Sequence, residues 1–216
     1  VRELYTLFEQ QLPQGQIIVV NNGSTDGTGE IVEGLAERLD FLGCLHLKER
    51  GKSRAIREGW SKASTNLLGF IDADLSPDPE SIPTLVRACC DHRGLAVGSR
   101  HCRDSEVDWQ IRRIWMSRLY NWLLKSITDS AVNDHQCGLK VIHRDFWQRI
   151  ADELHSTDWF LDTELILHAR RLGVELTEHP IKWVDKPGSK VSMLNTTSDL
   201  LAGLKKFRDR YGLSDQ

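Results

Sequence analysis

Short apolar runs alternate with stretches of helical period along the first hundred residues, and this alternation limits the chain to an α/β architecture. Gln16 to Val20, Cys44 to Leu47, Leu67 to Ile71 and Leu95 to Gly98 read as strands. Arg2 to Leu12, Ile31 to Leu39, Ser53 to Lys62 and Asp78 to Cys90 read as helices. Strand–helix units joined by short loops predict a parallel sheet covered on both faces. Ligands of such sheets bind beyond the carboxyl ends of the strands, so the loops that follow strands are where chemistry is expected.

Two of those loops stand out. The run Leu67 to Ile71 stops at Asp72-Ala73-Asp74-Leu75-Ser76-Pro77. At the end of that strand Asp72 and Asp74 are expected to point the same way, because strand side chains alternate with period two. Paired carboxylates repel unless a cation or an array of donors lies between them. A hard divalent ion suits them, since Mg2+ is usually held by one or two carboxylates plus substrate phosphates. The competing reading of an isolated Asp-x-Asp is a solvated turn. The second loop, Asn21 to Thr28, is polar and punctuated by Gly23 and Gly27. It fits an ordinary Asn-Gly turn with Asp26 or Thr28 capping the next helix. It fits equally a ligand cradle made from Asn21, Asn22, Ser24 and Asp26. Both loops follow strands and should open on one crevice.

Composition closes off other classes. A chain of 216 residues is long enough for one substantial domain. A formal charge of −3 argues against general nucleic-acid affinity. The five cysteines show no zinc spacing and read as reduced thiols facing cytosol. No apolar run approaches the ~18 residues of a membrane span, and the start of the chain, Val1, shows no signal-peptide pattern.

Five motifs in register then carry a resemblance. Val19 to Thr28, Arg50-Gly51-Lys52-Ser53-Arg54, and Asp72-Ala73-Asp74-Leu75-Ser76-Pro77 resemble the inverting, GT-A-fold glycosyltransferases of family 2. Asp134-His135-Gln136-Cys137-Gly138-Leu139-Lys140 and Phe160-Leu161-Asp162-Thr163-Glu164-Leu165, with Pro187 to Val191, narrow it to the polyprenyl- and dolichyl-phosphate sugar transferases. The Gln136-Cys137-Gly138 pattern is closer to the glucosyl than to the mannosyl branch. The resemblance implies a GT-A-like, Rossmann-type three-layer α/β/α domain with a mostly parallel sheet. Residues 1–100 would form its nucleotide-binding half and 101–216 its acceptor half.

The resemblance also implies a chemistry. A sugar would pass with inversion from a nucleotide-diphosphate donor, of the UDP-glucose or GDP-mannose class, to a lipid monophosphate. Asp72 and Asp74 would hold Mg2+ or Mn2+, with Asp72 also facing the nucleotide. Asn21, Asn22, Ser24, Asp26 and Lys52 would line the donor side. Asp162 falls where the wider family places its base and would act as base or acceptor-orienting group, with Asp134 as second candidate; a helix N-cap is the plainer alternative for Asp162. Arg100, Lys140 and Lys190 would neutralise donor or acceptor phosphates, and Arg113 and Ser117, four apart on one helix face, would share a phosphate, although any single Lys or Arg is more often a solvated surface charge. Two departures matter. The family opens with a strand and a Pro-x-Tyr-Asn-Glu-like loop, whereas this chain begins in the helix that follows them, so the sheet should lack an inner strand and expose apolar edges. The family's nucleobase-gripping acid is replaced by Asn21-Asn22, whose amides both donate and accept.

Asp108 to Lys125 forms another distinctive stretch. Ile111, Trp115, Leu119 and Trp122 make an apolar stripe at helical spacing, with Arg112, Arg113, Arg118 and Lys125 around it. It reads either as a helix packed on the core or as one lying at a membrane surface, with Trp at headgroup level. The second option suits a peripheral protein at the cytoplasmic membrane face. Leu200, Leu204, Phe207 and Tyr211 repeat the pattern near the end, for core docking, membrane contact or an oligomer. Two rival functions stay open. An aspartate-nucleophile phosphatase would also place Asp-x-Asp at a strand end, but expects Thr or Val where Ser76 stands. A non-catalytic nucleotide-sugar-binding protein would keep the fold without turnover.

Overall fold

The computed structural model describes residues 1–108, 111–128, 130–156, 159–185 and 193–212, with the side chains of 111–113, 116 and 193–199 set aside. Its elements run α1 (Arg2–Gln11), β1 (Ile17–Asn22), α2 (Thr28–Ala36), β2 (Leu42–Leu47), α3 (Lys52–Lys62), β3 (Leu67–Ile71), α4 (Ile82–His92), β4 (Leu95–Ser99) and β5 (Glu106–Asp108). They continue with α5 (Ile111–Thr128), β6 (Leu139–His143), α6 (Arg144–Ile150), α7 (Leu161–Arg171), β7 (Leu176–Pro180), β8 (Lys182–Val184) and α8 (Met193–Tyr211).

The sheet follows the α/β expectation and is divided. β1 and β2 form a parallel pair; β3, β6, β4 and β7 lie side by side in that order; β5 and β8 form a second parallel pair. β4 runs parallel to β7, while β6 enters antiparallel between β3 and β4. This reversal decides where the site lies. It brings the N-terminal end of β6, preceded by Asp134 to Gly138, to the edge where β1, β2, β3 and β4 end. α3 ties the two parts of the sheet together. Its Gly59 lies against Val20 of β1, and the Trp60 indole donates to the Gly69 carbonyl of β3 over 3.0 Å.

Strand alternation distributes the core to both faces. Leu95 and Val97 of β4 and Ile142 of β6 face Trp60, Phe146, Leu161 and Leu165, whereas Ala96, Leu139 and Val141 face Leu7, Ile82 and Leu85. A third cluster seats α8 on α7 and α5, with Leu200, Leu204 and Phe207 against Phe160, Leu167 and Leu124. Of the three roles open to the C-terminal pattern, core docking is the one realised by these side chains.

Four expectations change. Asn21 and Asn22 are strand residues, because their backbones stay in register with His46 and Leu47. β3 ends at Ile71, and Asp72 to Leu75 close a turn through a 2.9 Å bond from Leu75 N–H to the Asp72 carbonyl. Leu75 takes φ +51°, uncommon for a bulky residue, so the relation of Asp72 to Asp74 is set by this turn and not by strand alternation. α4 starts at Ile82, since Pro79–Ser81 form a 3-10 turn whose start Asp78 caps through the Glu80 N–H at 3.0 Å. Finally, the α5 stripe is not packed on the core: Trp115 and Trp122 point outward.

Leu165 is fully buried at the centre of the α7 face. Leu165→Ala is expected to lower unfolding stability by about 2–5 kcal/mol, measured by denaturant titration.

Candidate active site

A chain of buried charges occupies the edge where the strands end. Lys52, at the start of α3 behind Gly51, places its Nζ 3.0 Å from Asp72 Oδ1 and 3.1 Å from Asp162 Oδ2. Lys140, the second residue of β6, donates to Asp162 Oδ1 at 2.5 Å and to the carbonyls of Cys137 (2.7 Å) and His135 (3.0 Å). Lys140 and Asp162 are wholly buried, while Asp72 keeps part of its carboxylate toward solvent. Aromatic rings line the two ammonium groups. Phe70 lies under both Lys52 and Lys140, and Trp159 lies 5.0 Å from Lys52, a favourable placement for a cation.

This arrangement sets the protonation states. Burial alone would raise the Asp162 pKa, but Lys140 and then Lys52 outweigh it and hold the carboxyl below its ordinary value. Burial alone would lower Lys52, but Asp162 and Asp72 hold it above the ordinary lysine value. Asp162 Oδ2 has the Lys52 ion pair but no aligned hydrogen bond, a buried acceptor not fully satisfied. An ionised Asp162 clamped between two ammonium groups is a poor proton acceptor and a good anchor for both.

Asp72 owes its position to Gly138. A Cβ built on Gly138 would fall 1.8 Å from Asp72 Oδ2, so only glycine lets the carboxylate lie over this backbone. The Asp72 N–H donates to the Gly138 carbonyl over 3.0 Å, fixing the two segments together. Asp74 is exposed, and its Oδ1 accepts the Ser76 N–H at 3.0 Å.

A second buried pair flanks the first. Asp134 accepts from Arg100 through its backbone N–H (2.9 Å), Nε (2.6 Å) and Nη2 (2.7 Å). The guanidinium also stacks over Trp183 at 4.6 Å. Burial opposes the charge on Asp134, yet Arg100 draws its pKa down to about 2. The Asn133 and Asp134 N–H groups both donate to Glu178 Oε1 at 2.9 Å, which holds the loop from the β7 side.

The donor-side residues are engaged locally. Asn21 pairs with His46 Nδ1 at 3.1 Å and accepts the Ser24 N–H at 3.0 Å. Asn22 Oδ1 accepts the Gly51 N–H at 2.9 Å, linking β1 directly to the residue before Lys52. Ser24 and Asp26 are exposed, and Asp26 Oδ1 accepts from Thr28 N–H (3.2 Å) and Oγ1 (2.5 Å). Ser117 Oγ lies 2.9 Å from His101 Nε2. Arg113 belongs to α5 with its side chain undescribed, and Lys190 lies outside the described residues.

The structure therefore brings Lys52, Asp72, Asp162 and Lys140 together, and joins Arg100 to Asp134. It does not draw Ser24 or Asp26 into that network. Gly138, as a steric requirement, and Trp159, Phe70 and Glu178 belong to the site without being among the residues expected from the sequence. A glycine inside a charged motif was a usable signal for the first; nothing local marks Glu178, whose role depends on β7 lying beside β4.

Residues 2–150 match the family described as glycosyl transferase family 2. The chain belongs to that family. This family 2 chain is 32% identical over 198 residues to glycosyltransferase AglD of Haloferax volcanii, covering 90% of this chain and 32% of AglD. It is 26% identical over 209 residues to the dolichyl-phosphate beta-glucosyltransferase of Dictyostelium discoideum, covering 91% of this chain and 63% of that protein. The chain thus spans between about a third and just under two thirds of these relatives. In fold, it is similar to glucosyl-3-phosphoglycerate synthase of Mycobacterium tuberculosis in complex with UDP, with TM-score 0.70 and 17% identity, over 99% of this chain and 77% of that one. A form of that synthase with Mn2+, UDP and glucosyl-3-phosphoglycerate gives 0.67. A GT-A-type glycosyltransferase domain is thereby established.

Two outcomes follow from the geometry. Gly138→Ala should displace Asp72 from its 3.0 Å pair with Lys52, read as a shifted Asp72 carboxylate resonance in NMR spectra with a cooperative unfolding transition retained. Asp134→Asn removes the carboxylate charge that Arg100 grips through three hydrogen bonds and should cost about 3–5 kcal/mol at pH 7. Because the folded pKa of Asp134 is depressed, its stabilisation is present above the unfolded value near 4 and is lost as pH falls toward about 2. The stability gap between wild type and variant should therefore close between pH 4 and pH 2 in denaturant titrations.

Proposed function

We propose that this domain transfers glucose, with inversion, from a UDP-sugar to a polyprenyl or dolichyl phosphate at the cytoplasmic face of a membrane. The observation that carries this reading is the charge chain Asp72–Lys52–Asp162–Lys140 at the edge where the strands end. It offers the partly accessible Lys52 ammonium to a diphosphate while burying no unbalanced charge. The relatives named dolichyl-phosphate beta-glucosyltransferases support the sugar and the lipid class. GDP-mannose is the donor to test against UDP-glucose.

An oxygen of the acceptor phosphate attacks the anomeric carbon of the sugar. The bond from that carbon to the nucleotide diphosphate breaks, and the nucleotide leaves with the electron pair. A phosphomonoester has a second pKa near 6, so its attacking oxygen is already anionic at pH 7 and needs no strong base. This suits an Asp162 kept ionised by two lysines. Its role is to orient Lys140 and Lys52, while Arg100 and Asp134 hold each other and shape the adjoining wall.

Asp72 and Asp74 would hold a divalent cation. Their turn offers two carboxylates, one exposed and one partly so, and no cluster of three His, Cys, Asp or Glu ligands occurs among the described residues. That donor set fits Mg2+ or Mn2+ completed by substrate phosphates and water, and fits a closed structural site poorly. When bound, such an ion neutralises charge on the leaving diphosphate.

Thermal stabilisation by UDP-glucose in the presence of Mn2+ or Mg2+, and less by GDP-mannose, is the expected result. No metal-dependent shift with either donor would sink the donor assignment. Asp74→Asn is expected to lower turnover with a short polyprenyl phosphate by at least 100-fold, scored by nucleotide release, with unfolding stability within ~0.5 kcal/mol of wild type. Undiminished turnover would remove the metal role.

A further inference from the structure

Helix α5 is amphipathic in the wrong sense for a helix of a water-soluble core. Among its described side chains, Asn121, Leu124 and Thr128 are buried and Ser117 is half-buried. These face inward at i, i+4, i+7 and i+11. Trp115 (67% exposed), Leu119 (65%) and Trp122 (64%) form the outer face, extended by Leu123 and Ile127. Inward Asn121 and Thr128 are satisfied by specific bonds. Asn121 Oδ1 accepts the His135 N–H at 2.9 Å and lies 3.0 Å from His135 Nδ1; Asn121 Nδ2 donates to the Ser117 carbonyl; Thr128 Oγ1 donates to the Leu124 carbonyl.

The composition of α5 identifies what covers the outer face. The helix IRRIWMSRLYNWLLKSIT carries Arg112, Arg113, Arg118 and Lys125 and no acidic residue, a charge of +4 inside a chain of net charge −3. A second copy of the helix would set like charges against each other. An anionic bilayer answers both features, since its headgroups attract the cations and its interface favours Trp.

We propose that α5 is an interfacial helix that docks the domain on anionic bilayers through Trp115, Leu119 and Trp122. This deepens the lipid-acceptor reading and rests on it for its purpose, but its physical warrant is separate. The inward face of α5 bonds to His135, and the His135 carbonyl accepts from Lys140, so the docked helix lies directly behind the cation that grips Asp162. Docking would set the charge chain about one helix diameter, ~10 Å, from the headgroups.

The test is co-sedimentation of the full chain with vesicles of phosphatidylcholine alone or with 30 mole per cent phosphatidylglycerol, in low and high salt, beside W115S/L119S/W122S and Arg118→Glu. The expected result is partition onto anionic vesicles at least tenfold stronger than onto neutral ones. It should weaken with salt, fall at least tenfold in the triple variant and severalfold in Arg118→Glu. Far-ultraviolet circular dichroism and the melting transition should be unchanged, because the altered side chains are exposed. Equal partition of wild type and triple variant, or no binding to anionic vesicles, overturns the proposal. So does a concentration-dependent dimer of the wild type that the triple variant abolishes, which would assign the face to a second copy. Donor stabilisation measured on the same samples separates the readings: vesicle binding without it sinks the transferase assignment alone, and donor binding without vesicle association sinks this proposal alone.

Discussion

The Lys140–Asp162–Lys52–Asp72 chain is the interaction on which the rest of the molecule depends. It joins β6, α7, α3 and the turn after β3, four segments far apart in sequence. Buried ion pairs seldom add much stability, because desolvation consumes most of the Coulombic gain. This one is arranged so that each charge has an opposite neighbour within about 3 Å, and the four formal charges sum to zero. Neutrality leaves none of the four charges without a counter-charge. The Cys137 and His135 carbonyls add two further acceptors to Lys140, so its ammonium is held by directional bonds as well as by charge.

The same chain explains why β6 must run antiparallel. Lys140 sits one residue inside β6, on the face shared with Ile142 and packed by α7. In a parallel orientation its side chain would emerge at the opposite edge of the sheet, away from Lys52 and Asp72. The reversal also puts Gly138 next to Asp72, where the missing side chain becomes a steric requirement. A motif that reads in sequence as Asp134 to Lys140 is therefore three devices in space. Asp134 locks Arg100, Gly138 admits Asp72, and Lys140 fixes Asp162.

Much of this was legible from the sequence, for reasons that differ by residue. The early strands and helices show themselves because apolar period is a local property, and Leu95 to Gly98 or Leu67 to Ile71 need no partner to be recognised. Asp72, Lys52, Asp162 and Lys140 could be nominated one by one, since each falls in a chemically marked segment. Their mutual pairing could not, because it depends on the order β3-β6-β4-β7, a long-range fact. Composition predicts a loop at Asn21 and Asn22, yet their backbones continue the ladder with β2. Tertiary pairing overrides the weak strand preference of asparagine.

α5 shows how hydrogen bonds compete with hydrophobic burial in orienting a helix. Rotating it by half a turn would bury Trp115, Leu119 and Trp122, a gain of about 1.5–3 kcal/mol for each large side chain covered. The same rotation would strip His135 of Asn121, leaving a buried backbone N–H and an imidazole nitrogen without that acceptor. Each orphaned polar group costs about 1–3 kcal/mol, and the rotated helix would bring its own polar side chains out of reach of their partners. In water alone these sums are comparable, so burial would not by itself select the observed face. A surface that takes up the apolar stripe removes the competition, because the stripe is then covered while Asn121 keeps its bonds to His135. The orientation is thus the one expected if the outer face meets a bilayer and the inner face, through His135, holds Lys140 in place.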